Sequence, residues 1–254
     1  MPAFVCPGAN RPDATADGAA DAGGVATEGD AGAPFNVLLF SRTAGFRHES
    51  IPTAIAQLMD LQATGGYLAE ATEDPTQFSP GNLARFQVVV FLLTTGDVLD
   101  DDQQAAFEAW IGAGGGYLGV HSAADTEYDW PFYGTLMGAY FLSHPAIQQA
   151  SVDIAVADPP ADLPTTGLPS PWVRTDEWYN FQTNPRPNVT VLATVDESTY
   201  TGGTMGADHP ITWSHPTGGG GRAFYTAMGH TDESYCDPLF RHLLVGALRW
   251  VAGR

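Results

Sequence analysis

The sequence predicts an α/β protein built on a mostly parallel sheet with helices on both faces. Three observations carry this expectation. Short runs rich in β-branched and aromatic residues alternate along the chain with stretches of helical periodicity. The runs FNVLLFS, FQVVVFLLT and GYLGVHS are continuously apolar, as befits strands covered on both faces. Glycines close the helical stretches, so that strand, helix and strand follow one another in the order that gives right-handed crossovers and parallel neighbours.

The first strand is expected over 35–41. A helix follows from Ser50 or Ile51 to Thr64, with Pro52 tolerated in its first turn and Gly65-Gly66 ending it. Residues 67–72 read as a second strand, and 86–94 give the strongest strand signal. LDDDQQAAFEAWIGAGGG then starts with acidic residues, where the helix dipole favours them, and places Phe107, Trp110 and Ile111 at helical spacing before a glycine stop. A fourth strand, 116–122, runs into a turn. Beyond it the pattern loosens. Residues 151–158 and 188–195 read as strands, separated by a proline-rich stretch that holds an aromatic cluster around Trp178. Residues 221–229 are a further buried strand, and an amphipathic helix from Asp237 closes the domain. One domain over 35–254 is expected, its sheet extended by antiparallel strands from 150–200.

Residues 1–34, mostly Ala, Gly, Asp and Pro, bury too little apolar surface to offset their ordering entropy and read as a flexible leader. The opening has neither the basic start nor the apolar stretch of a secretory signal. Cys6 followed by a polar spacer nevertheless looks like the region after a lipoprotein cleavage site. An extracytoplasmic place, secreted or lipid-anchored, and a cytoplasmic one are weighed equally.

Composition excludes several functions. With 29 acidic and 10 basic residues the chain carries a net charge of -19, a field that repels phosphate backbones, so nucleic acid is not an expected partner. All 10 basic residues are arginine; without lysine there is no Schiff base, lysine nucleophile or phosphate-loop lysine. No apolar run reaches the roughly 18 residues needed for a membrane span. Cys6 and Cys236, the only cysteines, supply neither a disulfide framework nor a cysteine-rich zinc site.

In open α/β sheets ligands bind outside the carboxyl ends of the strands. Arg47 and His48 lie in the loop after the first strand, His121 ends the fourth, and His230 follows the late strand in AMGHTDESY. Three loops remote in sequence thus bring imidazoles to one rim, where a lone histidine would be read as solvated. His144 and His209 each precede a proline, which presents their rings from an extended loop or merely caps a turn; His215 and His242 read as structural. Carboxylates accompany the histidines at Asp125, Asp129, Asp176, Glu177, Asp232 and Glu233, although in so acidic a chain any one of them is by default solvated. Histidine beside a carboxylate suits general acid–base chemistry. Aromatics near the same rim, Tyr128, Trp130, Phe132, Tyr133, Trp178, Tyr179 and Phe181, suit the C–H faces of a sugar, with core packing as the alternative for about half of them.

These residues stand in ordered motifs, GFRHESI, GGGYLGVHSAADTEYDWPFY, MGAYFLSHP, DEWYNF, VLATVDESTY, DHPITW and GRAFYTAMGHTDESYCDPLFRHLLVGALRW. Through them the chain resembles the ThuA-like (trehalose utilisation) family over residues 35–252. The resemblance implies a flavodoxin-like sheet related to class I glutamine amidotransferases and a role in handling sugars, including oxidised disaccharides. At the elbow where the amidotransferases carry a nucleophilic cysteine this sequence has His121, so glutamine hydrolysis is not expected. Ser122 beside it lacks the GxSxG frame of a serine hydrolase.

The function expected is therefore an enzyme that hydrolyses, eliminates or isomerises a carbohydrate, trehalose or a related 3-keto glycoside, by proton transfer. His121 and His230 are the acid and base and Glu177 orients or shares protons. Arg47, His48, His144, Asp125, Trp130, Tyr133, Trp178 and His209 form the substrate-binding set. A divalent metal such as zinc, with His48, His121 and His230 as candidate ligands, is an alternative to one acid role, although no HxH, HExxH or HxxxH spacing marks it. The rival reading is a sugar-binding module without turnover on a degenerate fold. Oligomeric state is not legible.

Overall fold

The computed structural model describes Phe4, Cys6, and residues 33–155 and 163–254. Strand β1 (Phe35–Phe40) leads into α1 (Ile51–Asp60). The expected single helix breaks at Leu61 and resumes as α2 (Gln62–Gly65), where Gly66 takes a left-handed φ of 73° and ends it. Next come β2 (Tyr67–Thr72), the short α3 (Pro80–Leu83) and β3 (Val88–Leu92), whose five residues are all buried. Helix α4 (Asp101–Gly112) starts on a reciprocal cap between Asp100 and Gln103. It returns the chain to β4 (Gly116–Val120), a 3-10 turn over His121–Asp125 and α5 (Pro131–Met137).

The second half supplies β5 (Phe141–Ser143), β6 (Gln148–Ile154), β7 (Trp172–Asp176), β8 (Asn180–Phe181), β9 (Thr190–Val195), β10 (Pro210–Pro216) and β11 (Arg222–Thr226). Two helices, α6 (Asp232–Cys236) and α7 (Pro238–Val251), finish the chain. Nine strands make one sheet in the order β2-β1-β3-β4-β11-β10-β9-β6-β7, while β5 and β8 pair separately. The five strands from β2 to β11 are mutually parallel, and the four beyond are antiparallel. This is the α/β class the sequence predicts.

Two differences have physical reasons. The antiparallel extension reaches past 150–200 to include β10, which reads in sequence as a loop stiffened by His209-Pro210. Pro210 is the first residue of that strand, a position where the lost N–H is tolerated. Strand β7 hides in the proline-rich stretch because its buried face alternates Trp172, Arg174 and Asp176, so charge masks the apolar pattern.

Cys6 and Cys236 form a disulfide that joins positions 230 residues apart, at the end of α6. Two cysteines give no framework, but they do give this one tether, which ties Cys6, within the stretch read as a flexible leader, to the end of α6. The rest of that reading lies outside the described residues, as do positions 156–158 of the strand expected over 151–158. No helix among the described residues is long and apolar enough to cross a membrane.

Candidate active site

Because β1, β4 and β11 run parallel, their carboxyl ends open on one edge, and the loops leaving them carry His48, His121 and His230. The rings meet there. Their centroids lie 4.9 Å apart for His48 and His121, 5.0 Å for His48 and His230, and 5.2 Å for His121 and His230. The fourth member comes from the opposite edge of the sheet: the chain leaving β7 returns to the loop after β11 and delivers Glu177. Its Oε2 lies 3.1 Å from His230 Nδ1 and 3.5 Å from His121 Nε2, and those two nitrogens are 3.2 Å apart. His144, half-exposed on the loop after β5, reaches Glu177 Oε1 through Nδ1 at 2.9 Å.

His121 is held under backbone strain. Its φ of 52° lies in the left-handed region, which costs a non-glycine residue on the order of 1–3 kcal/mol and persists only where the surroundings impose it. Here Tyr225 donates its hydroxyl to the His121 carbonyl at 2.8 Å, and the ring Nδ1 lies 2.7 Å from the Ala227 carbonyl. A carbonyl can only accept, so Nδ1 carries a proton and Nε2 is the nitrogen that faces Glu177 and His230. The Tyr179 ring packs against the His121 ring at 4.2 Å and closes that side.

Beneath the cluster, Asp176 is fully buried. It accepts five hydrogen bonds, from the backbone N–H of Glu177, Gly229 and His230, from Ser234 Oγ and from Arg174 Nη2. This carboxylate ties β7 to the β11 loop and thereby fixes where Glu177 and His230 meet.

The electrostatics divide the imidazoles. Burial, reinforced by His121 and His230, pushes His48 far down and keeps it neutral. Burial works against ionised Glu177, but hydrogen bonds from His121 and His230 and their charge prevail and hold its carboxyl well below the ordinary range. For His230 burial is likewise outweighed, by the Glu177 hydrogen bond and charge, and its pKa is raised. A carboxylate held ionised beside an imidazole that favours its proton is a proton-transfer pair. His48, His121, Glu177 and His230 also each offer a donor atom, all within 4.8 Å of one another, so the same four residues have the reach to hold a metal ion.

The other candidates separate. Asp125, at the end of the turn that starts with His121, accepts the Tyr128 hydroxyl at 2.7 Å, and burial raises its pKa. Arg47 is on the correct loop but turns outward to pair with Glu73 at 2.6 Å. Tyr133 is core: its hydroxyl bonds Tyr117 and the Ala123 carbonyl. Trp130 stacks on Tyr133 and borders a separate cleft of about 280 Å³. Trp178 is buried, donating Nε1 to the Gln148 carbonyl. His209 is enclosed between Glu197 and the Tyr179 carbonyl, so both its ring nitrogens are occupied.

Of two further residues at the site, Tyr179 is among the aromatics the sequence offers to a sugar but not in the substrate-binding set, and Phe46 escapes the sequence reading. Along the extended segment 177–179 alternate side chains face opposite ways, so Tyr179 shares the site side with Glu177 while Trp178 turns into the core. Phe46, 66% exposed, stands edge-on to His48 at 4.9 Å. Its place directly before Arg47-His48 in GFRHESI is the signal the sequence offers.

Fold and site together define an α/β protein with a histidine–glutamate cluster on the carboxyl edge of its parallel strands. The chain belongs to the ThuA family, trehalose utilisation, which it matches over residues 36–251, and this places it in carbohydrate metabolism. Among solved structures it is similar to a ThuA-like protein from Bacteroides uniformis, with 27% identity, a TM-score of 0.71, and coverage of 86% of this chain and 92% of that one. A ThuA-like protein from Parabacteroides merdae shares the fold at 18% identity and a TM-score of 0.69, covering 86% and 90% of the two chains. No curated protein matches the chain.

Proposed function

We propose that this protein is an enzyme acting on a carbohydrate, trehalose or a related 3-keto glycoside, and that it works by proton transfer within the His121–Glu177–His230 cluster. The observation that carries the reading is the meeting of Glu177 Oε2, His230 Nδ1 and His121 Nε2 at 3.1–3.5 Å, from loops more than fifty residues apart in sequence. With the His121 Nδ1 proton committed to Ala227, the imidazole pair and the carboxylate can pass a proton to a glycosidic or hydroxyl oxygen and take one from the carbon or water beside it. Hydrolysis, elimination and isomerisation all draw on this exchange. His144 lies on the exposed side of Glu177, where a substrate hydroxyl would arrive, and Phe46 supplies a ring against which a pyranose face can lie.

The test is incubation of the protein with trehalose, other disaccharides and their 3-keto derivatives, with products followed by mass spectrometry. Conversion of a sugar supports the reading. Saturable sugar binding without conversion would replace it with that of a sugar-binding module.

A further inference from the structure

We infer that the four side chains form a binding site for one divalent transition-metal ion of the zinc type, with His121 Nε2, His230 Nδ1 and Glu177 Oε2 as three ligands and a ring nitrogen of His48 as the fourth. Zinc bonds of about 2.0–2.1 Å in tetrahedral geometry require donors roughly 3.4 Å apart. The three donors here stand at 3.1, 3.2 and 3.5 Å, and that of His48 lies within 4.8 Å of the others.

Donor orientation points the same way. His121 donates Nδ1–H to the Ala227 carbonyl, which turns its Nε2 toward Glu177 Oε2 and His230 Nδ1. Fixing one imidazole nitrogen on a backbone carbonyl while the other points at the centre is also how ligating histidines are usually oriented. Three nitrogens and one oxygen suit zinc or a neighbouring divalent transition metal rather than calcium or magnesium, which take oxygen ligands.

The inference stands on donor geometry and does not require that the substrate be a sugar; while an ion is bound, His121 Nε2, His230 Nδ1 and Glu177 Oε2 are its ligands, so the proton transfer proposed above belongs to the metal-free protein and a bound ion would take its place as electrophile. Full-length protein is stripped with a chelator, dialysed and titrated with zinc against a chromophoric competitor, and with cobalt(II) to read coordination from its visible spectrum. One equivalent should bind, cobalt should give the intense bands of a four-coordinate site, and His121→Ala, His230→Ala and the near-isosteric Glu177→Gln should each weaken zinc about 100-fold or more. Circular dichroism identifies any variant that fails to fold, and Glu177→Gln serves as the second probe in that case. Absence of stoichiometric binding, or binding unchanged in the folded variants, overturns the site. Turnover by the stripped protein would remove the metal from the reaction and leave the sugar reading intact, whereas tight binding with no sugar converted would do the reverse.

Discussion

Asp176 Oδ1 accepts the backbone N–H of His230 at 3.0 Å, across 54 residues of sequence. The residue next to it, Glu177, meets the ring of the same histidine at 3.1 Å. Backbone and side chain of His230 are thus fixed by neighbours on one short segment, and the site's geometry depends on a carboxylate that is itself fully buried.

Asp176 accepts a hydrogen bond from Arg174, itself buried, so removing it leaves that charge with only Asp237 at 3.8 Å and the Ser234 hydroxyl, and takes the acceptor from four other donors. Asp176→Ala should cost about 3–5 kcal/mol of stability. Urea unfolding measures this; a loss below about 1 kcal/mol would show that the network does not carry the loop.

His209 predicts a pH dependence. Burial outweighs the Tyr179 carbonyl and Glu197 and lowers its pKa, so the folded protein keeps the ring neutral. The unfolded chain takes up that proton near pH 6.5. Stability from this group is therefore full above about pH 6.5 and declines as pH falls below it, by up to about 1.4 kcal/mol per pH unit. Denaturation at pH 7.5 and 5.5 should show a steeper loss in the wild type than in His209→Gln. Equal losses would exclude the residue.

The Cys6–Cys236 bridge predicts no free thiol in the oxidised, denatured protein. Cys236→Ser should lower stability by about 2–4 kcal/mol, chiefly by releasing the unfolded chain. Thiol titration followed by urea unfolding checks both statements.

Phe46 is too exposed to matter much for folding, and Phe46→Ala should leave stability within about 0.5 kcal/mol. If its ring receives the sugar face, KM should rise about two- to tenfold, the equivalent of about 0.5–1.5 kcal/mol, with kcat nearly unchanged. An unaltered KM in steady-state kinetics would show that the ring receives nothing.

How far the sequence could be read followed from where periodicity is clean. The apolar runs of β1, β3, β4 and β11 and the glycine-stopped helices were legible, and they suffice to put His48, His121 and His230 on one edge. Strand β7 was not, because Arg174 and Asp176 occupy its buried face. Its position at the far edge of the sheet also concealed that its end returns to His230. Glu177 opens the DEWYNF motif and lies at the centre of the cluster, whereas which of Trp178 and Tyr179 faces the site is not legible without the phase of the strand before them. Tyr133 and Trp178 look like ligand platforms in sequence, since nothing local distinguishes a core hydroxyl or indole bonded to a carbonyl from one waiting for a substrate.

The account's central claim is that His121, Glu177 and His230 act as one chemical unit. The most direct measurement compares turnover of a responsive disaccharide by the wild type, His230→Ala, Glu177→Gln and the double variant, each confirmed to be folded. The account predicts that either single change removes nearly all of kcat and that the second adds little, as for groups working through one proton path. Independent, multiplicative losses, or full activity in either single variant, would contradict it.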